Sequence, residues 1–278
     1  VSSEPESGAT RRGVLLTVAY DGQDFHGLAR QPGLRTIAGE LDTAVRAIDP
    51  DASPVRALSR TDAGVHARAQ MAAFDTRRSI PSRGWVLALT RTLPRSIGVL
   101  RAARVPSGFD PRDHVVTKTY SYLLFRSPVR DPLLVGRAWR IGEPLDIERM
   151  QTELGPVAGT HDFAAFRNAS DGRLNTQCRI ARTVLRTCQY DPRCVEVVLE
   201  GDRFLYRMVR IIVGTLVDVG RGWLTPNAVK TALAGGSRAS LGMTAPPDGL
   251  YLEQVTLADC GQDPWPEPVF VDARGTLA

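Results

Sequence analysis

The chain has 278 residues, 43% of them hydrophobic, enough to bury the core of one large or two modest domains and too many for an intrinsically disordered protein. Its formal charge of +5 and pI near 9.3 suit a polyanionic partner such as nucleic acid. Cys178, Cys188, Cys194 and Cys260 show no CxxC spacing, which leaves a zinc site or thioredoxin-like centre unsupported, and no apolar run approaches membrane-spanning length, so a cytoplasmic protein with reduced thiols is expected.

In chain order, residues 13–20 predict a buried strand that Asp21-Gly22 ends in a turn. Thr36 is placed to cap a helix in which Ile37, Leu41, Val45 and Ile48 fall at i, i+4, i+8 and i+11, one apolar stripe. Short strands near 54–58 and 67–75 flank a loop at Asp62. A helix over about 82–92, with Trp85 and Leu89 on one face, leads to a strand near 97–104. The second half reads as a strand at 115–125 and a helix at 146–157, capped by Asp146 with Ile147, Met150 and Leu154 inward. Hairpin strands near 180–189 and 193–200 follow, Cys188 and Cys194 facing each other across the turn. Then come a long helix over 203–219, a short helix beginning near Pro226, a strand from about 249 to 257 and a Pro-rich tail.

Each half therefore spells β-α-β-β-α-β, the split ferredoxin-like (RRM-like) order. The expected architecture is α+β: two ferredoxin-like halves, at 11–106 and 107–258, between tails at 1–10 and 259–278. They share one continuous mixed or antiparallel sheet with a cleft suited to RNA.

Three segments carry candidate chemistry. Arg60-Thr61-Asp62-Ala63-Gly64 has the spacing of an ordinary turn, yet it also sets one carboxylate beside a cation in an apolar stretch. There a carboxylate stays ionised on partial desolvation, and a dry anion is the better nucleophile. In Thr117-Lys118-Thr119-Tyr120-Ser121-Tyr122 the two tyrosines share a sheet face, as half-buried packing or as a surface for a base. Arg203, Arg207 and Arg210 stand at i, i+4 and i+7 of the predicted long helix. An arginine embedded in apolar sequence is costly to desolvate unless an anion meets it, and Asp62 is the anion nominated for Arg210.

The run from Arg60 to Ala67 resembles the RTDxGVHA signature of the TruA family of tRNA pseudouridine synthases, and Met208-Val209-Arg210-Ile211-Ile212-Val213-Gly214 resembles that family's MVRNIVG block. Weaker matches arrive in order: Tyr20-Asp21-Gly22, Phe25-His26-Gly27, His161-Asp162-Phe163 with Phe166, and Gly249-Leu250-Tyr251-Leu252, so the likeness spans about 13–257. The resemblance implies the pseudouridine synthase fold, no cofactor, no metal, and a homodimer gripping the anticodon arm of tRNA to isomerise uridine at the positions conventionally numbered 38–40. It makes Asp62 the catalytic carboxylate, Arg210 its partner, and Tyr120 the ring against the uracil with a share in proton removal at C5. Arg60, Arg207 and His66 are assigned with Tyr120 to substrate binding, and neither His26 nor His66 is needed for catalysis. Leu28-Ala29 replace the family's usual Trp-Gln and Ser59 its usual Gly, departures that bear on substrate range. A non-catalytic RNA-binding protein or RNA chaperone on the same scaffold is the alternative, and an RNA N-glycosidase a third reading.

Overall fold

Thr36 caps the first helix as its position predicts: its hydroxyl oxygen accepts from the Gly39 N–H at 3.2 Å, and Ile37, Leu41 and Val45 are buried beneath it. In the computed structural model, which describes residues 10–168, 172, 174–188, 191–258 and 261–266, the first half runs β1 (Arg12–Tyr20), α1 (Ile37–Ile48), β2 (Arg56–Ala57), β3 (His66–Thr76), α2 (Ser82–Thr92) and β4 (Ile97–Val105). The second half has β5 (Val115–Arg126), β6 (Trp139–Ile141), α3 (Ile147–Leu154), β7 (Gly159–Asp162), β8 (Gln177–Thr187), β9 (Cys194–Gly201), α4 (Met208–Gly220), α5 (Ala228–Leu233) and β10 (Leu250–Leu257). A final strand, β11 (Gln262–Trp265), pairs with β4 inside the segment expected to be a tail. Residues 259–260, with Cys260, and 267–278 of that tail, and the expected amino-terminal tail apart from Thr10, lie outside the described residues.

Among the described residues eleven strands form one sheet in the order β11-β4-β1-β3-β10-β5-β9-β8-β7, with β2 beside β3 and β6 beside β5. With β6 and β7 set aside, the four main strands of each half, β1-β2-β3-β4 and β5-β8-β9-β10, lie in the order fourth-first-third-second, the split ferredoxin-like arrangement. The halves join where β10 runs parallel to β3, pairing Tyr251 with His66 and Leu252 with Ala67. That junction sets the start of β3, and with it the Asp62 loop, against the strand carrying Tyr120, since Leu252 also pairs with Tyr120. One apolar core takes the alternate strand residues Leu16, Val18, Tyr122, Leu124 and Leu252 together with Leu41, Trp85, Met150, Ile212 and Leu216 of the helices. Leu15, Ala73 and Val105 from the alternate strand positions form a smaller cluster with Phe109 of the loop after β4.

Besides β6, β7 and β11, which the sequence pattern does not predict, two helices differ from their sequence expectation. The helix expected over 146–157 keeps its Asp146 cap, which accepts from the Arg149 N–H, but tightens into a 3₁₀ turn at Gly155–Val157, where Pro156 has no N–H to continue the ladder. The helix expected from 203 starts at Met208, because Arg207 is left-handed (φ 62°) and a right-handed helix cannot run through it. Arg203 is therefore not on the helix, and the stripe of Arg203, Arg207 and Arg210 does not exist as a helical face. Cys178, Cys188 and Cys194 are free thiols, the Cys188 N–H bonding the Cys194 carbonyl across the hairpin at 3.0 Å.

Candidate active site

The loop between β2 and β3 is held by polar side chains from the elements around it. Gln70, fully buried in β3, accepts from the Ser59 N–H at 3.1 Å and donates to the Ser59 carbonyl at 2.7 Å, so it grips that residue's backbone at both ends. The Tyr20 phenol, whose pKa burial pushes far above the ordinary range, meets the Thr61 hydroxyl at 2.8 Å, and the Leu28 N–H reaches the Thr61 carbonyl at 3.1 Å. Gly27 (φ 87°) makes this approach feasible, since a Cβ there would stand 2.7 Å from the Thr61 oxygen. The Val65 N–H then closes a turn onto the Asp62 carbonyl at 3.2 Å, with Gly64 at φ 80° in its third position. None of these bonds uses the Asp62 carboxylate, which is left for other work.

That carboxylate meets Arg210 from the first turn of α4: Nη1 lies 2.6 Å from Oδ2, with the two side chains 11% and 17% exposed. The arginine is fixed from the other side as well, its Nε donating to the Ala245 carbonyl at 2.8 Å while the Ala245 N–H bonds the Arg210 carbonyl at 3.0 Å. Left-handed Arg207 brings its Nε to 3.8 Å from the same carboxylate and its guanidinium over the Tyr206 ring at 5.0 Å. Tyr120, 9% exposed, packs edge-on against Phe204 with ring centroids 5.0 Å apart. Asp62, Arg210, Arg207, Arg60 and Tyr120 all line one cavity of about 700 Å³. Lys118, Arg112 and Arg203 line it too, so among the described residues six basic side chains surround a single carboxylate, a field that attracts phosphate.

Gly214 makes the brace on Arg210 possible, because a Cβ there would lie 1.8 Å from the Met243 carbonyl oxygen. Gly214→Ala is expected to push residues 243–245 off α4 and release Arg210, costing about 1–3 kcal/mol of stability as an overpacking change. Denaturant melts and turnover measured on the same preparation should fall together.

The structure separates His66 from the sites expected to bind substrate. It is 2% exposed, stacks on Tyr251 with centroids 4.6 Å apart, and does not line the cavity. Tyr251 alternates along β10 with Leu250 and Leu252, which face the core, so His66 stands on the other side of the sheet. Its Nδ1 accepts from the Gly22 N–H at 3.1 Å, which places the proton on Nε2, near the Gly136 and Asp248 carbonyls at 2.9 and 3.1 Å. Burial lowers the imidazole pKa below its ordinary 6.5, outweighing the opposite pull of Asp21 and the two carbonyls. Below about pH 6.5 the unfolded chain thus takes up the proton before the folded one, and the stabilisation held above that pH is lost as pH falls through the folded value. Thermal midpoints should drop on acidification over that window, and His66→Gln should flatten the slope. Tyr122 is fully buried, its hydroxyl on the Pro246 carbonyl at 2.7 Å, a packing residue.

Among the described residues no helix is long and apolar enough to cross a membrane, and no cluster of His, Cys, Asp and Glu is placed to hold a metal. Residues 157–256 match the family described as tRNA pseudouridine synthase. The chain is 39% identical over 245 residues to the tRNA pseudouridine synthase A of Pelobacter propionicus, covering 88% of this chain and 99% of that protein. The chain belongs to the tRNA pseudouridine synthase A family. The like-named protein of Halalkalibacterium halodurans is 41% identical over 236 residues, covering 84% of this chain and 89% of that one, and that of Geotalea uraniireducens is 38% identical over 244 residues, covering 88% and 99%.

Membership sharpens the meaning of the departures noted in the sequence. Leu28 is buried in the core and Ser59 is pinned by Gln70, so both sit in the scaffold of the Asp62 loop, whereas Ala29 is half-buried and borders open space next to Asp62. The family signature also directs attention past residues that the cavity includes. Lys118 carried a readable signal, standing two positions before Tyr120 and hence on the same strand face. Arg112, whose partner is Asp110, and Phe204 carried none, because loops bring them to the cavity.

Proposed function

We propose that the protein isomerises uridine to pseudouridine in the anticodon stem-loop of tRNA, at positions 38–40, acting as a cytoplasmic homodimer without a cofactor. The observation that carries the reading is the 2.6 Å contact between Asp62 and Arg210 at a cavity of about 700 Å³ that Tyr120 also lines. The half at 11–106 supplies the carboxylate, and the half at 107–258 supplies the guanidinium and the ring, so the reacting groups meet between the two.

The reaction breaks the C1′–N1 bond, turns the uracil, joins C1′ to C5, takes the proton from C5 and leaves N1 carrying one, so atoms balance. No electrons enter or leave. Asp62 serves it by adding to the ring, by attacking C1′ or by taking a ribose proton, and each route needs an ionised carboxylate at the glycosidic bond. Arg210 holds that oxygen in place, and Tyr120 packs on the base and assists at C5. Arg60 is exposed and makes no ion pair among the described residues, which suits it to contact RNA or fill the gap left by the extruded base.

Incubating the protein with unmodified tRNA transcripts tests the reading. Carbodiimide adducts that survive alkali should appear at positions 38–40 with the RNA mass unchanged, and sedimentation should report a dimer. Free uracil would identify an N-glycosidase, and binding without adducts would leave an RNA-binding protein or chaperone.

A further inference from the structure

The Asp62 carboxylate borders two cavities. Beside the one that holds Tyr120 lies a second, of about 440 Å³, which Asp62 shares with Arg60, Arg207 and Arg210 and whose remaining wall includes Tyr206, His26, Gln31 and Ala29. Tyr120 and Leu250 border only the first cavity. A base turned into the first stays tied through its phosphates to a nucleotide on each side, so a neighbour must lie close to Asp62.

The second cavity has the features of a nucleotide subsite. Among the described residues three arginines and one carboxylate line it, leaving net positive charge for a phosphate. Tyr206 borders both cavities and carries Arg207 over its ring, an aromatic and guanidinium platform of the kind on which unstacked bases rest. Gln31 donates through its Nε2 to the His26 carbonyl at 2.7 Å, and its side-chain oxygen, which accepts no hydrogen bond among the described residues, can accept from a base. Ala29 offers only a methyl group where the family usually has a glutamine, so the wall there stands back.

We infer that this second cavity receives the nucleotide flanking the target uridine, stacked on Tyr206, and that Ala29 sets the size of base admitted. The inference rests on the catalytic reading above and names a further part of the same substrate. Its test compares stem-loop RNAs that are intact with ones in which the 5′ or the 3′ neighbour of the target uridine is abasic.

For the unmodified protein, loss of one of the two neighbouring bases should lower kcat/KM about tenfold, the scale of one base–aromatic stack. In Ala29→Phe, which fills the cavity, and in Tyr206→Ala, which removes its platform, the preference for the intact RNA should fall to about one. Collapse of that preference in either folded variant supports the subsite. If the unmodified protein is indifferent to both abasic changes, or if both variants keep the tenfold preference while losing activity on every RNA alike, the subsite is refuted. Turnover of the intact stem-loop is the separate control for the catalytic reading. Should it fail, the same comparison made in Kd still decides the subsite.

Discussion

Asp62→Asn is expected to lower kcat by at least about 10⁴-fold while affinity for tRNA holds or rises, the pattern of a side chain needed for bond chemistry. The amide has nearly the shape of the carboxylate and still offers Arg210 one oxygen, so the geometry of the site survives. What it loses is the charge required for nucleophilic attack or proton removal. The loop does not depend on that charge, since Gln70 holds Ser59, Tyr20 holds Thr61 and the Val65 N–H closes the turn through main chain. Binding changes in the opposite sense, because removing the Asp62 charge from a cavity that six basic side chains line among the described residues reduces repulsion toward a polyanion. Single-turnover assays and filter binding at one fixed salt concentration separate the two effects. Residual pseudouridine formation near the unmodified rate would remove Asp62 from the chemistry, and a parallel loss of binding would make it a loop support.

Much of this site was legible because local chemistry and global fold agree where it is built. Thr36 and Asp146 cap as their positions predict, the stripe from Ile37 to Val45 is buried, and the repeated β-α-β-β-α-β order folds into two matching strand orders. Arg210, an isolated cation in an apolar run, called for an anion, and the nominated Asp62 sits 2.6 Å away. The misses share a cause. Residues 203–207 carry helical spacing, but Arg207 is left-handed, with its guanidinium near Asp62 and over the ring of its neighbour Tyr206, a backbone state that no periodicity encodes. His66 stands four residues past Asp62, yet the pleat where β3 meets β10 sends it to the far side of the sheet. β11 was missed because a four-residue edge strand that contains Pro264 and opens the Pro-rich tail is too short to show alternation.

The second large effect is expected at Arg210, and it distinguishes charge from geometry. Arg210 uses two different nitrogens at once, Nη1 on Asp62 and Nε on the Ala245 carbonyl, a division that a planar guanidinium permits and a single ammonium does not. Arg210→Lys keeps the charge but gives up one anchor, leaving the carboxylate free to swing. A drop in kcat of roughly 10²–10³-fold is expected, the scale of losing one preorganised electrostatic contact. Arg210→Met also strands Asp62 in a largely desolvated place. Breaking a fully buried pair costs about 3–5 kcal/mol, and because both partners keep some exposure here the expected loss is nearer about 1–3 kcal/mol. If the stranded charge is the cause, Arg210→Met combined with Asp62→Asn should be more stable than Arg210→Met alone, a coupling read directly from a double-mutant cycle in denaturant. Additive losses would mean that Arg210 stabilises the fold through Ala245 and that its contact with Asp62 contributes nothing to stability.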